Sequence, residues 1–448
     1  MSVHENYPKE IADILVTHDE TPENTDKLRK FFMNPDRYDF SRRTIVFSTP
    51  SRTGTSYFRI EEPMYAIARK YPEKFNLIYA DNNLNAKHLE LADLIIVHRA
   101  GHLHDWLHNI YKVWPKTKKR ALILHDVDDN EFNLPLRHPM REMWLSAGKD
   151  KMSVRSLKES DYITTTGRKL QQTFRNFNKN VSIVRNMFDW SQPQWSLKRD
   201  EKYNGKIVIG WVGLTSHFED IKKMVPILKY AHDKFPNTHF ILSGMAIKDT
   251  EVTINVDAKG NKTFSEKEIT DEQRTYRWRV KNLFKDFDQT RVEFYNAVEL
   301  EKYGKFYKDL DIGLAYLENN TFNQCKSEIK VVEYFKYGVI PLWTNIGGYH
   351  DMFEMMPLAA PGGKSLKTEA AKSLAIDQEN PEKWKQCLDY VITHLDEYKK
   401  VAQDGKKWVE EKYDINNHID NKVEFYTTII EQHLEKETNR IQNIVATI

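Results

Sequence analysis

Four polar residues share one side of a short apolar segment. Lys326, Lys330, Glu333 and Tyr337 fall at i, i+4, i+7 and i+11 inside the run 322–341. The segment reads as a helix that opens at Ser327, whose hydroxyl can accept from an unsatisfied amide, and closes before Gly338, with Pro341 beyond it. Ile329, Val331, Val332, Tyr334 and Phe335 make the rest of its surface apolar, so it should be largely buried. Two ammonium groups at the N-terminal end of a buried helix, added to its dipole and free N–H groups, make an anion site. Glu333, a turn further in, can accept two hydroxyls of a sugar ring. The competing reading is a Lys330–Glu333 ion pair in a solvated stripe. Phe322 and Asn323 lie just before the helix. Gly347, Gly348, Tyr349 and His350 follow the next expected strand and would close over the same ligand, while Cys325 reads as a small filler.

Three more clusters carry polar chemistry. In 51–59, small residues around Gly54 and Thr55 let the backbone approach a phosphate or sugar; the turn has neither the Walker nor the Gly-x-Gly-x-x-Gly pattern, and an ordinary strand–helix turn is the alternative. In 125–135, Asp126, Asp128 and Asp129 crowd three carboxylates together, which raises carboxylate pKa values and suits a general base or a metal site; a solvated acidic loop is the alternative. His98, Arg99 and His102 end the preceding strand and could line the same wall. In 213–220, Gly213, Ser216 and His217 repeat the strand–glycine–turn device. There Ser216 and His217 could hydrogen-bond a phosphate, or be an N-cap serine beside a satisfied histidine.

These clusters need elements to hold them. Short apolar runs at 44–48, 75–80, 94–98, 121–125, 162–166 and 181–184 alternate with helical segments, and a second series follows at 206–212, 239–243, 291–295, 311–315 and 339–344. Continuous apolar strands suit parallel sheets covered on both faces. The predicted fold class is therefore α/β, with two doubly wound, Rossmann-like domains facing across a cleft. The boundaries read as a helical lead-in at 1–40, a first domain at 41–190, a polar linker at 191–205, a second domain at 206–420 and a closing helix at 421–448 that crosses back to the first. A surface hairpin is expected at 250–265, and helices over 381–403 and 405–448.

Composition narrows the classes. The 448 residues are 40% hydrophobic and 29% charged with a net charge of +2, which fits a soluble globular protein and demands neither nucleic acid nor membrane globally. Two cysteines, Cys325 and Cys387, make no disulfide framework and no zinc set, and a cytoplasmic setting is expected. No membrane span or signal-peptide core is expected. Charge is uneven: residues 1–200 carry 32 Lys+Arg against 26 Asp+Glu, so an anionic partner would meet that half.

Taken together, the clusters resemble the GT-B glycosyltransferases, specifically the retaining group-1 family, and a phage-type branch is one home for the chain. Gly54-Thr55-Ser56-Tyr57-Phe58-Arg59-Ile60 is similar to that family's glycine turn, and 125–135 to an Asp-x-Asp-Asp-x-x-Phe-x-x-Pro segment. Val184-Arg185-Asn186-Met187-Phe188-Asp189 resembles the end of a first domain. Gly210-Trp211-Val212-Gly213-x-x-Ser216-His217-x-x-Asp220 resembles the start of a second. Phe322-Asn323-x-x-Lys326-Ser327-x-x-Lys330-x-x-Glu333-x-x-x-x-Gly338-x-x-Pro341 is the nearest match. The resemblance implies that Glu333 holds the donor ribose and that Lys326 and Lys330 neutralise the leaving diphosphate, with Ser327 at the helix start and Ser216 or His217 bonding it. It implies Gly54 and Thr55 beside the diphosphate, Asp126, Asp128 and Asp129 facing acceptor and donor sugar in catalytic roles, and no required cofactor or metal. The chain departs from the family at Cys325, where a paired glutamate is usual, and at Thr215-Ser216-His217, where an Arg/Lys pair is usual.

The implied activity is transfer of a sugar from a nucleotide-diphosphate sugar, UDP-sugar being the expected form, to an acceptor hydroxyl. The ten Lys+Arg against four Asp+Glu in 151–200 make an anionic acceptor a hypothesis, namely DNA with a hydroxymethylated base; a solvated basic face is the alternative. An envelope glycan or lipid is the rival acceptor, and a nucleotide-sugar epimerase on the same scaffold the rival activity.

Overall fold

The structure, a computed structural model, describes residues 2–34, 39, 41–99, 101–138, 140–246, 249–256, 262–356, 374–376 and 380–446. The chain divides into two compact units. One is Met1–Phe132 with Asp150–Pro193 and Lys412–Ile448; the other is Asn133–Lys149 with Gln194–Glu411. This grouping differs from the sequence boundaries at 133–149, which follow the acidic cluster yet belong to the second unit. The last helix begins at Ile415 and ends at Val445. No helix among the described residues is long and apolar enough to cross a membrane.

The first unit is built on six strands, β1 (Arg43–Ser48), β2 (Phe75–Tyr79), β3 (Leu94–His98), β4 (Leu122–Asp126), β5 (Tyr162–Thr165) and β6 (Val181–Ile183). They form one parallel sheet in the order β2-β1-β3-β4-β5-β6. Successive side chains point to opposite faces, so the apolar runs feed two cores at once. Phe47, Ile96 and Leu124 pack with Ile60, Met64 and Ile67 and with Ile419, Val423 and Tyr426 of the last helix. Val46, Ile95, Val97 and Ile123 pack on the other face with Leu103 and Leu107.

The second unit repeats the device with β7 (Ile207–Val212), β8 (Thr238–Met245), an antiparallel hairpin of β9 (Thr250–Val256) and β10 (Lys262–Glu268), then β11 (Val292–Asn296), β12 (Ile312–Ala315), β13 (Ile340–Thr344) and β14 (Ala375–Ile376). The hairpin tip at 257–261 lies outside the described residues. The six-stranded sheet is parallel in the order β11-β8-β7-β12-β13-β14. Chain order therefore reverses between β7 and β12, and open α/β sheets bind ligands beyond the carboxyl ends of strands at such a switch point. In the first unit the reversal falls between β1 and β3.

The helix singled out in the sequence runs Ile329–Lys336, shorter at its start than predicted. Glu328 is the residue before its first turn and makes no side-chain cap bond, so Ser327 is not the N-cap. Its far end behaves as predicted: Gly338 has φ +66°, a left-handed conformation that suits glycine, and Pro341 lies inside β13. Val331, Val332, Tyr334 and Phe335 are buried, and the Tyr334 hydroxyl donates to the Leu314 carbonyl at 3.1 Å, fixing the helix to β12.

Candidate functional site

In the second unit the polar residues gather beyond the carboxyl ends of β7 and β12. Trp211 is the hub. It is fully buried in β7, and the chain turns against its ring: a Cβ on Gly213 would stand 2.5 Å from a Trp211 ring carbon, so only glycine fits. His217 meets the same indole edge-on at 6.0 Å, and the Lys330 ammonium lies 5.1 Å from its centroid. Helical spacing pointed to Lys330 and the strand–glycine–turn pattern to His217, but neither gave a role to the tryptophan that holds both, because an indole inside a buried strand reads as core.

The Lys330 Nζ is buried and has no hydrogen-bond partner. Burial pulls its pKa down to about 8, with Asp220 and Glu333 opposing and Lys326 adding to the shift. Glu333 is buried too. Burial pushes its carboxyl up to about 7, against the Tyr307 hydroxyl, which donates to it at 2.5 Å, and the Lys330 charge. The solvated stripe is thus excluded, since neither charge reaches water. Lys326 is half-buried, with its ammonium 4.4 Å from the centre of the Phe322 ring. Asn323 is buried and donates to the Glu318 carbonyl. The Gly348 amide donates to the Lys326 carbonyl at 3.1 Å, and a Cβ there would stand 2.5 Å from that oxygen, so this glycine ties the Gly347–Met355 helix to the lysine loop. Cys325 is buried, as a filler would be.

His217 and Asp220 contact at 2.7 Å between Nδ1 and Oδ2. Burial, and then Lys330, draw the imidazole pKa down to about 4. At neutral pH the ring is neutral and Nδ1–H donates to the carboxylate, which leaves Nε2 as an acceptor. A phosphate bond from His217 therefore requires the imidazolium. Ser216 is exposed and lines a pocket with His217, Asn323 and Lys326. Ser327 is half-buried beside them in sequence.

The first unit contains the remaining predicted residues. Gly54 and Thr55 sit in the single turn Gly54–Ser56 after β1, capped by Thr53, whose hydroxyl accepts from the Ser56 amide at 3.3 Å. A π-helical turn, Tyr57–Glu61, follows and carries the buried Arg59. Its guanidinium takes both Asp126 oxygens, Nε to Oδ1 at 2.8 Å, while Thr164 donates to Oδ2 at 2.7 Å. Arg99, in the left-handed region at φ +57°, bonds Asp128 and reaches Asp129 Oδ2 at 2.7 Å. His98 Nε2 is 3.2 Å from Asp128 Oδ1, and His102 Nε2 is 2.9 Å from Asn82 Oδ1.

These arginines overturn one expectation. The crowded aspartates were expected to raise one another's pKa values. Burial alone would lift Asp126, but Arg59 outweighs it and leaves that carboxyl below its ordinary range; Arg99 and His98 do the same, more strongly, for Asp128. Among the described residues no group of three or more His, Cys, Asp or Glu side chains is placed to hold a metal ion.

No protein-family model matches the chain, and neither does any curated protein sequence. Solved structures do match. Anabaena HepE, in complex with UDP and glucose, aligns at TM-score 0.54 and 11% identity over 86% of this chain and 100% of its own. A trehalose-6-phosphate protein from E. coli, bound with UDP-2-fluoro glucose, aligns at TM-score 0.53 and 12% identity over 87% and 99%. A trehalose-6-phosphate synthase, studied with bisubstrate glycomimetics of glycosyl transfer with retention, aligns at TM-score 0.54 and 11% identity over 87% and 99%. Two doubly wound parallel sheets and these alignments along nearly the whole chain identify the fold as GT-B.

Proposed function

We propose that the protein is a glycosyltransferase that moves a sugar from a nucleoside-diphosphate sugar to an acceptor hydroxyl. The observation that carries the reading is Lys330: a buried ammonium with no hydrogen-bond partner, in the first turn of a helix at the switch point of the second sheet. A buried ammonium without a hydrogen bond is costly to keep, and an arriving anion would compensate it. Lys326, Lys330 and the positive N-terminal end of the 329–336 helix neutralise the departing diphosphate, whose charge grows in the transition state. Glu333 takes the ribose hydroxyls. The neighbours crystallised with UDP or a UDP-sugar make UDP the first nucleotide to test, and the glycomimetic work on the synthase supports retention.

A thermal-shift panel of nucleotide sugars tests this directly. One UDP-sugar is expected to raise the melting temperature, and Glu333→Ala or Lys326→Ala to weaken that ligand at least about tenfold, as loss of a hydrogen bond to a charged group does. If neither substitution weakens the best ligand, the donor site lies elsewhere.

The acceptor reading rests on the first unit. Lys151, Arg155, Lys158, Lys169, Arg175 and Lys179 are all exposed there, which supports a polyanionic acceptor such as DNA carrying a hydroxymethylated base over an uncharged glycan. Binding to a DNA duplex is expected to fall by about 10²-fold or more between ~50 and ~200 mM salt. Absence of duplex binding at low salt would turn the reading to a glycan or lipid acceptor.

A further inference from the structure

Residues 133–149 leave the first sheet after β4, yet they belong to the second unit. They bring two basic side chains to the pocket beyond β7 and β12. Arg137 and His138 line it together with Ser216, His217, Asn323 and Lys326. His138 packs its ring edge-on against Phe322 at 5.6 Å, and the Lys326 ammonium sits on that same Phe322 ring at 4.4 Å. One aromatic side chain thus positions both a lysine and a histidine. Of the three carboxylates in the lining, Glu219 is 3.3 Å from Arg137 and Asp220 is bonded to His217, while Glu318 is half-buried.

The two histidines present opposite faces. His217 gives its Nδ1–H to Asp220, so its Nε2 accepts. His138 Nδ1 accepts from the Met140 amide at 3.2 Å, so the neutral ring carries its hydrogen on Nε2 and donates there. A phosphate oxygen needs a donor.

We propose that His138 is a donor-binding residue, its Nε2–H bonding an oxygen of the nucleotide diphosphate beside Lys326. This rests on the nucleoside-diphosphate reading of the pocket and adds a group from a segment outside the recognised pattern. His138 thereby supplies the Nε2–H donor that the neutral His217 ring cannot.

Calorimetry with UDP and with uridine separates the possibilities. His138→Ala is expected to weaken UDP by about 10- to 100-fold, the range for a hydrogen bond to a charged group, and to leave uridine unchanged. His138→Gln, whose terminal amide overlies Nε2, is expected to bind UDP within about threefold of the parent protein. That variant also controls for folding. Wild-type UDP affinity in His138→Ala, with affinity lost in Lys330→Met, would overturn the role of His138 and leave the donor pocket standing. Unchanged affinity in both variants would remove the donor reading and this inference with it. Equal loss of UDP and uridine in His138→Ala would make the residue a packing element only and would also overturn the proposal.

Discussion

Lys330→Met is expected to lower kcat/KM for sugar transfer by about 10³-fold while raising the melting temperature of the unliganded protein. Removing one preorganised charge from a developing anion costs about 10² to 10³ in rate, and on the proposed function Lys330 would also contribute to ground-state binding of the diphosphate. The stability gain has a separate cause. Burial lowers the lysine pKa from 10.5 to about 8, so at pH 7 the ammonium is held in the folded protein at a cost of about 3 kcal/mol. A methionine of similar length removes that cost and exchanges the cation–π contact with Trp211 for a sulfur–aromatic one. The sign with pH follows from linkage. Between about pH 8 and 10.5 the unfolded chain binds the proton that the folded protein has released, so the parent protein gains stability as pH rises through that window. The advantage of Lys330→Met is therefore largest below pH 8 and fades toward pH 10.5. Melting curves of both proteins across this range check it. A less stable variant at pH 7 would mean that the ammonium has a partner that offsets its burial.

Glu333 runs in the other sense. Its carboxyl is raised from 4.5 to about 7, so the unfolded chain loses its proton first and stability falls as pH climbs between those values. On the proposed function, a bound donor would supply an anion for Lys330 and hydroxyl donors for Glu333, and both burial costs would shrink together. The apo protein is thus expected to be least stable near pH 7 to 8, where donor binding has the most to relieve.

The strands were legible because their apolar runs are continuous, and a residue flanked on both faces by helices needs no partner beyond them. Ile45 to Phe47, Ile95 to Val97 and Leu122 to Leu124 are buried in the parallel sheet their patterns predicted. Lys330 and Glu333 were legible because they are polar residues in an apolar helix, an anomaly visible within one turn. What was hidden lies across long sequence separations. Arg59 and Asp126 are 67 residues apart, Tyr307 and Glu333 are 26 apart, and no local rule pairs them. The Ser327 cap failed for a local reason: a serine can cap a helix, but Glu328 follows it and the first helical turn begins one residue later. His138 was invisible since nothing in its own neighbourhood marks it, and only the placement of 133–149 in the second unit brings it to Phe322.

Asp126→Asn is expected to destabilise the first unit by about 3–5 kcal/mol, the cost of leaving a buried charge without its partner. Arg59 would keep its charge among groups that cannot replace the carboxylate. Lys422, on the last helix, is already drawn down to about 7 by burial and by Arg59, with Asp126 opposing, so losing the aspartate sets two cations against each other. Arg59→Ala should cost less, because Asp126 then retains Thr164 and the Lys422 charge. The double variant Arg59→Met with Asp126→Leu removes both charges and is expected to recover most of the loss, since a buried ion pair replaced by apolar groups of similar volume is often neutral. Chemical unfolding of the three variants measures this order. The experiment also weighs the catalytic role that the resemblance gave Asp126. A general base must be free to take a proton, whereas a carboxylate gripped at both oxygens by a guanidinium and held below its ordinary pKa is organised to stay ionised. If Asp126→Asn keeps full stability and loses only turnover, the aspartate acts in the chemistry. If stability collapses and the apolar pair restores it, Asp126 is the clamp that holds the π-helical turn, and with it Gly54 and Thr55, in place.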